Sequence, residues 1–114
     1  MIYLASPYSS PDPLIMKTRF LLAEQVCASL IASGEFPYSP IVHCHEMAQK
    51  YSLPTDFAFW QRYNIDMLRR ADKLFILMIE GWQSSLGVTY ERDFAKACGI
   101  PTFGIKEEGE PWPA

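Results

Sequence analysis

Short apolar runs alternate with longer amphipathic stretches along this chain, and the alternation predicts the order β-α-β-α-β-α-β. Ile2 to Ala5 reads as a buried strand, followed by the polar, proline-rich loop Ser6 to Pro11. Asp12-Pro13 has the form of an N-cap followed by proline at the first helical position, where the missing N–H costs nothing. The helix it opens runs to about Ser33. Leu22, Val26 and Leu30, beside Ala23, Cys27 and Ile31, make its apolar stripe, and Gly34 is its stop. Phe36 to Ser39 reads as a short second strand that Pro40 ends, and His43 to Ser52 as a short helix or a loop. Pro54-Thr55-Asp56 opens a helix to about Ala71. Lys73 to Ile79 is apolar on both faces, the pattern of a central parallel strand. After the loop Glu80 to Ser85, a helix spans Leu86 to Cys98 and stops at Gly99, and Thr102 to Ile105 is the fourth strand.

This succession builds a parallel sheet with helices on its faces. The expected architecture is a three-layer α/β fold, flavodoxin-like or Rossmann-like, with strand order 2-1-3-4. Residues 1–106 form its domain, and residues 107–114 a tail without regular structure. In that order the switch point lies between the first and third strands, and ligands bind outside the carboxyl ends of the strands there. Ser6 to Asp12 and Glu80 to Leu86 are the loops that meet at this point.

A chain of 114 residues, 49% hydrophobic, supports one domain with a real core. Its net charge of −3 lacks the basic excess of a nucleic-acid surface. No apolar run approaches the roughly 18 residues of a membrane span, and the N-terminus has no basic region ahead of an apolar one. Three cysteines without a C-x-x-C pair fit a reduced, cytoplasmic protein.

One residue departs from the pattern. On the Leu86 to Cys98 helix, Thr89, Arg92, Asp93 and Lys96 gather on one side, and Gly87, Val88, Tyr90, Phe94, Ala95 and Cys98 on the other. Glu91 belongs to the apolar side. Burying an unpaired carboxylate costs several kcal/mol, roughly. Helical side chains lean toward the N-terminus, so Glu91 leans over Gly87 toward the predicted cleft. Two readings stay open: an ion pair with Arg62, Arg69 or Lys17, or a reactive carboxylate. Ser84 and Ser85 likewise read either as an N-cap or as an anion site at a helix N-terminus. His43-Cys44-His45-Glu46 contains an H-x-H pair, but two histidines in the whole chain make a poor metal set, and no metal or cofactor is expected. His43 then lines the rim of the cleft or caps the next helix. Trp82 stacks on a base or plugs the structure. Phe57, Phe59 and Trp60 pack on the sheet or reach a base or a neighbouring subunit. Cys27 and Cys98 read as core.

The segment Ser84-Ser85-Leu86-Gly87-Val88-Thr89-Tyr90-Glu91 after the central strand resembles the nucleoside 2-deoxyribosyltransferase superfamily. It is most similar to the 2′-deoxynucleoside 5′-monophosphate N-hydrolases, whose loop reads S-L-G-V-G-Y-E. Ile2 to Ser9 is similar to the first strand and loop of that superfamily. Phe36-Pro37-Tyr38-Ser39-Pro40-Ile41-Val42-His43, Phe59-Trp60 and Gly81 to Gly87 resemble its DUF1937 branch.

The resemblance implies cleavage or transfer of the N-glycosidic bond of a 2′-deoxynucleoside or its 5′-monophosphate. Glu91 would attack C1′, with Asn64 beside it and Tyr3 or Tyr8 donating to its carboxylate. Tyr3, Ala5, Ser6, Tyr8, His43, Trp82, Ser84, Ser85 and Gly87 would bind substrate, and a homodimer or higher homo-oligomer would complete the site. Two departures stand out. Asn64 occupies the place of the usual Asp, and an amide cannot accept a proton at neutral pH. The first loop also lacks the Gly-rich, Arg-containing stretch of the N-hydrolases. A non-catalytic nucleotide-binding module on the same fold is the alternative.

Overall fold

The computed structural model describes residues 1–107 and the backbone of residues 111–113. Its order is β1 (Ile2–Ala5), α1 (Pro13–Ala32), β2 (Pro37–Tyr38), α2 (Pro40–Tyr51), α3 (Phe57–Arg69), β3 (Lys73–Leu77), α4 (Leu86–Ala97), β4 (Thr102–Ile105) and β5 (Pro111–Pro113). The strands form one sheet, β2-β1-β3-β4-β5. The first four are parallel in the expected order 2-1-3-4, and β5 adds antiparallel to β4 at the edge. The tail was expected to have no regular structure, yet residues 111–113 pair with β4. Residues 108–110 and 114 lie outside the described ones. Two prolines bracket Trp112, a composition that an edge strand tolerates because one side of its ladder is free.

Period-2 alternation divides the strands between two cores. Ile2 and Leu4 of β1 with Phe75 and Leu77 of β3 face α1, where they meet Ala23, Val26, Cys27 and Leu30. Tyr3 and Ala5 with Leu74 and Ile76 face the other way, onto Ile65 and Leu68 of α3 and Val88 and Ala95 of α4. Both faces of β1 and β3 are therefore buried, as parallel strands require. Each fully buried Leu or Ile here contributes about 1.5–3 kcal/mol. Among the described residues no helix is long and apolar enough to cross a membrane.

The expected stop at Pro40 is instead a start. Ser39 is the N-cap of α2, its Oγ accepting from the Val42 N–H at 3.1 Å, and Pro40 is the first helical residue. The Asp12-Pro13 rule applies here too: Asp12 caps α1 by accepting from the Leu14 N–H at 2.9 Å. α2 thus spans the whole stretch read as a strand end followed by a short helix or loop. It packs beside α1 at the carboxyl end of the sheet through Phe20, Ile41 and Tyr8.

Ser39 is buried, so removing its hydroxyl leaves the Val42 N–H without a partner or water. Ser39→Ala should cost about 1 kcal/mol, read as a lower urea midpoint at unchanged m-value.

Candidate active site

The segments that leave β1, β2 and β3 converge on a cavity of about 610 Å³. Ser6 to Ser9 follow β1, Pro40, Ile41 and Cys44 follow β2, and Gly81, Ser84 and Ser85 follow β3. The cavity therefore lies at the carboxyl edge of the sheet, across the switch point, in the size range of small-molecule sites. Thr55 to Ala58, Trp60 and Asn64 close it from α3 and the segment ahead of it.

Glu91 lines this cavity and is 4% exposed. Val88, Glu91 and Ala95 are the buried residues of α4, so the carboxylate does sit in the apolar stripe. The stripe is narrower than expected. Tyr90 is half exposed, and Cys98 is exposed at the C-cap because it lies beyond the last packed turn. No cation pairs with Glu91 among the described residues. The side-chain ion pairs there join Asp66 to Arg69 and Arg70. The partner of Glu91 is the hydroxyl of Tyr3, which donates to Oε2. Tyr3 is fully buried on the α4-facing side of β1, so the bond ties the first strand to the last helix. Burial pushes the Glu91 carboxyl up to about 7, and the Tyr3 hydrogen bond pulls against that rise. Burial and the adjacent carboxylate both push the Tyr3 hydroxyl well above its usual range, so it stays a donor.

Two further polar groups in the cavity lining lack partners among the described residues. Asn64 Oδ1 projects from the buried face of α3 (7% exposed), and Ser6 Oγ follows β1 (8% exposed). Buried oxygens without partners carry a desolvation penalty of about 1–3 kcal/mol each. A ligand with hydroxyls would relieve it. Asp66, two residues beyond Asn64, faces solvent and pairs with Arg70 at 2.9 Å.

Gly87 sits where a Cβ would stand 3.0 Å from the Phe57 ring. The glycine lets the start of α3 close against α4 and brings Phe57 into the cavity wall. Ser85 is the N-cap of α4, accepting from the Val88 N–H at 3.2 Å, and Ser84 donates to the Gly81 carbonyl at 3.3 Å. Both serines line the cavity.

Other expected residues lie elsewhere. Ala5 is fully buried in the sheet beneath. Tyr8 lines the cavity, but its hydroxyl meets His45 Nδ1 at 2.6 Å, not Glu91. His45 is buried and stacked on Phe20, and burial lowers its pKa from the usual value. Desolvation pushes the Tyr8 hydroxyl up to about 12. His43 is not in the cavity wall: it stacks on Tyr63 and shares a 3.1 Å hydrogen bond with its hydroxyl. The two histidines lie on a helix, where positions i and i+2 diverge, not on a strand where they would align. Trp82 packs against the core of the α4 side, which fits the plug reading. Trp60 lines the cavity and anchors its indole N–H on the Pro54 carbonyl at 2.8 Å, while Phe59 is half exposed.

The main residue that sequence reasoning overlooked is Arg19. It lines the cavity and donates from Nη1 to the carbonyls of Tyr8 (3.2 Å) and Ser9 (3.1 Å). The signal was present, because Arg19 extends the buried α1 series Ala23, Val26, Leu30 one turn toward the N-terminus.

The raised pKa of Glu91 has a consequence for folding. Between about pH 4.5 and 7 the folded carboxyl holds a proton that the unfolded one has released. Its contribution to stability is therefore complete below about 4.5 and lost as pH rises through about 7. Glu91→Gln should remove that dependence. The variant should gain on the wild type by an amount of order 3 kcal/mol on going from pH 4.5 to pH 8, read from urea midpoints at the two pH values.

No curated protein matches the chain. The family described as "Domain of unknown function (DUF1937)" matches residues 1–107, a span that takes in β1 through β4, the cavity and Glu91. With nearly its whole length covered, the chain belongs to the DUF1937 family.

Proposed function

We propose that the protein cleaves or transfers the N-glycosidic bond of a 2′-deoxynucleoside or its 5′-monophosphate, with Glu91 as the nucleophile. The observation that carries this reading is a buried carboxylate on a cavity wall, held by a phenol and by no cation among the described residues. The likeness of Ser84 to Glu91 to the loop of the nucleoside 2-deoxyribosyltransferase superfamily supports it.

In the proposed reaction a Glu91 oxygen forms a bond to C1′ as the C1′–N bond breaks and its electron pair leaves with the base. Positive charge develops at C1′ in the transition state, and with no electron-withdrawing 2′-hydroxyl that charge forms more readily. An anion in a dry site stabilises it strongly. Water or a second base then attacks C1′ and restores the carboxylate. Asn64 and Ser6 offer their unpartnered oxygens to sugar hydroxyls. Asn64 cannot protonate the departing base, so the base leaves unassisted or takes its proton from solvent. That limit favours good leaving groups. It is also the feature that favours the second reading, a module that binds nucleotides without turning them over.

Glu91→Ala should abolish base release from deoxynucleosides and their monophosphates, followed by chromatography of products, while far-UV dichroism stays native. Ligand-induced thermal shifts without base release by the wild type would favour the binding module. Because the nucleophile must be ionised, kcat/KM should rise with pH through about 7 in the wild type. Tyr3→Phe removes the hydrogen bond that favours the charged form, so this limb should move to higher pH. A limb that stays in place or moves down would contradict the assigned role of Tyr3.

A further inference from the structure

The proposed reaction assigns no task to the second carboxylate of the cavity lining. Glu91 and Asp56 are the acids among the described residues that line it, Glu91 buried and Asp56 exposed at the start of α3. Asp56 is the N-cap of that helix, its Oδ2 accepting from the Phe59 N–H at 3.2 Å. No cation pairs with it among the described residues.

The segment that carries Asp56 is held on two sides. The Thr55 carbonyl accepts from Ser9 Oγ at 2.7 Å, which ties the segment to the loop after β1. The Pro54 carbonyl accepts from the Trp60 indole N–H at 2.8 Å, which ties it to the first turn of α3. An acceptor already fixed in place loses little freedom when a ligand binds. Phe57 and Trp60, from the same stretch, also line the cavity, and flat ring systems pack well on aromatic side chains.

Depth orders these groups. Glu91 and Asn64 are buried, at the inner end. The Phe57 ring packs against Gly87, which precedes Glu91 on α4 by one turn, about 6 Å. Asp56, next to Phe57, therefore stands about one helical turn outward of the reactive carboxylate. A nucleoside whose C1′ meets Glu91 can place the outer edge of its base there. A carboxylate accepts hydrogen bonds and donates none, so an amine on that edge matches it and a carbonyl oxygen in the same place is repelled.

Resting on the reading above, we propose that the start of α3 reads the base, with Asp56 accepting from an exocyclic amine as the specificity-determining residue. The substrate is then a 2′-deoxynucleoside whose base carries an amine, not a carbonyl, at its outer edge.

Two pairs of compounds test this: deoxycytidine against deoxyuridine, and deoxyadenosine against deoxyinosine. Within each pair an amine stands in place of a carbonyl. Base release is followed by chromatography, and binding by calorimetry on Glu91→Ala, which removes turnover. The amine-bearing member should bind roughly 10- to 100-fold more tightly, the range of a hydrogen bond to a charged group. Asp56→Asn keeps a good N-cap for α3, and its amide can donate to a carbonyl as well as accept. Placed in both backgrounds, it should erase most of the discrimination, in affinity and in kcat/KM, with thermal unfolding unchanged. The intrinsic ease of base departure is the same for both enzymes, so the comparison of variant with wild type isolates the contact. Equal binding within each pair, or a preference that survives Asp56→Asn, would overturn the role of Asp56 and leave the glycosidase reading intact wherever base is released. Amine-selective binding that is lost in Asp56→Asn, without base release by the wild type, would uphold the base-reading segment and sink the glycosidase reading. Neither binding nor release with all four compounds would overturn both.

Discussion

The hydrogen bond from Tyr3 to Glu91 joins the first strand to the last helix inside the α4-facing core, and the geometry of the cavity depends on it. Neither group reaches water freely, so each must be satisfied by the other or by a ligand. A cation in place of the phenol would hold the carboxyl well below neutral pH and engage its lone pairs. A phenol stabilises the charge less, so burial prevails and the group titrates near 7. The carboxylate is thus left poised between its two protonation states and aimed at the cavity.

The parallel sheet supplies the rest. Its strands all end on one edge, so three separate segments turn over at the same place and form a wall together. Two glycines allow those segments to close. Gly81 adopts a left-handed φ and gives the Arg19 guanidinium room, and Gly87 admits the Phe57 ring. Each of these close approaches brings a side chain of another helix to the cavity wall.

The fold was legible because it rests on periodicity. The period-2 runs of β1 and β3 and the apolar stripes of α1 and α4 are strong local signals, and short connections leave few topologies open. The errors lay where a local signal has two meanings. Pro40 both ends a strand and opens a helix, and only the Ser39 side chain, already visible as a capping residue, decides between them. Position in the chain brings His43 to the rim of the cavity and leaves Trp82 open between stacking on a base and plugging the structure. Yet which face of a helix or turn meets which neighbour depends on contacts with Tyr63 and with the α4-side core, which lie far away in sequence or on other elements. The criterion that singled out Glu91, a charge on an apolar helix stripe, also applies to Arg19. An α1 stripe that begins at Leu22 stops short of it, because the buried face of α1 extends one turn further toward the N-terminus.

Glu91 and Arg19 share one cavity yet form no ion pair with each other or with any other residue described. For stability alone this is a poor arrangement. Two opposite charges in a partly dry space lower their energy by meeting, and an apolar pair in their place would avoid the desolvation cost altogether. The fold instead holds them to separate anchors: Tyr3 for the carboxylate, the Tyr8 and Ser9 carbonyls for the guanidinium. Asn64 and Ser6 add two oxygens without partners to the same lining. These features cost stability, and in the proposed reaction a substrate offsets part of that cost: its hydroxyls meet the Asn64 and Ser6 oxygens, and the positive charge that develops at C1′ meets Glu91. Stability conceded at a site in this way is the usual mark of a place where binding or chemistry has set the side chains.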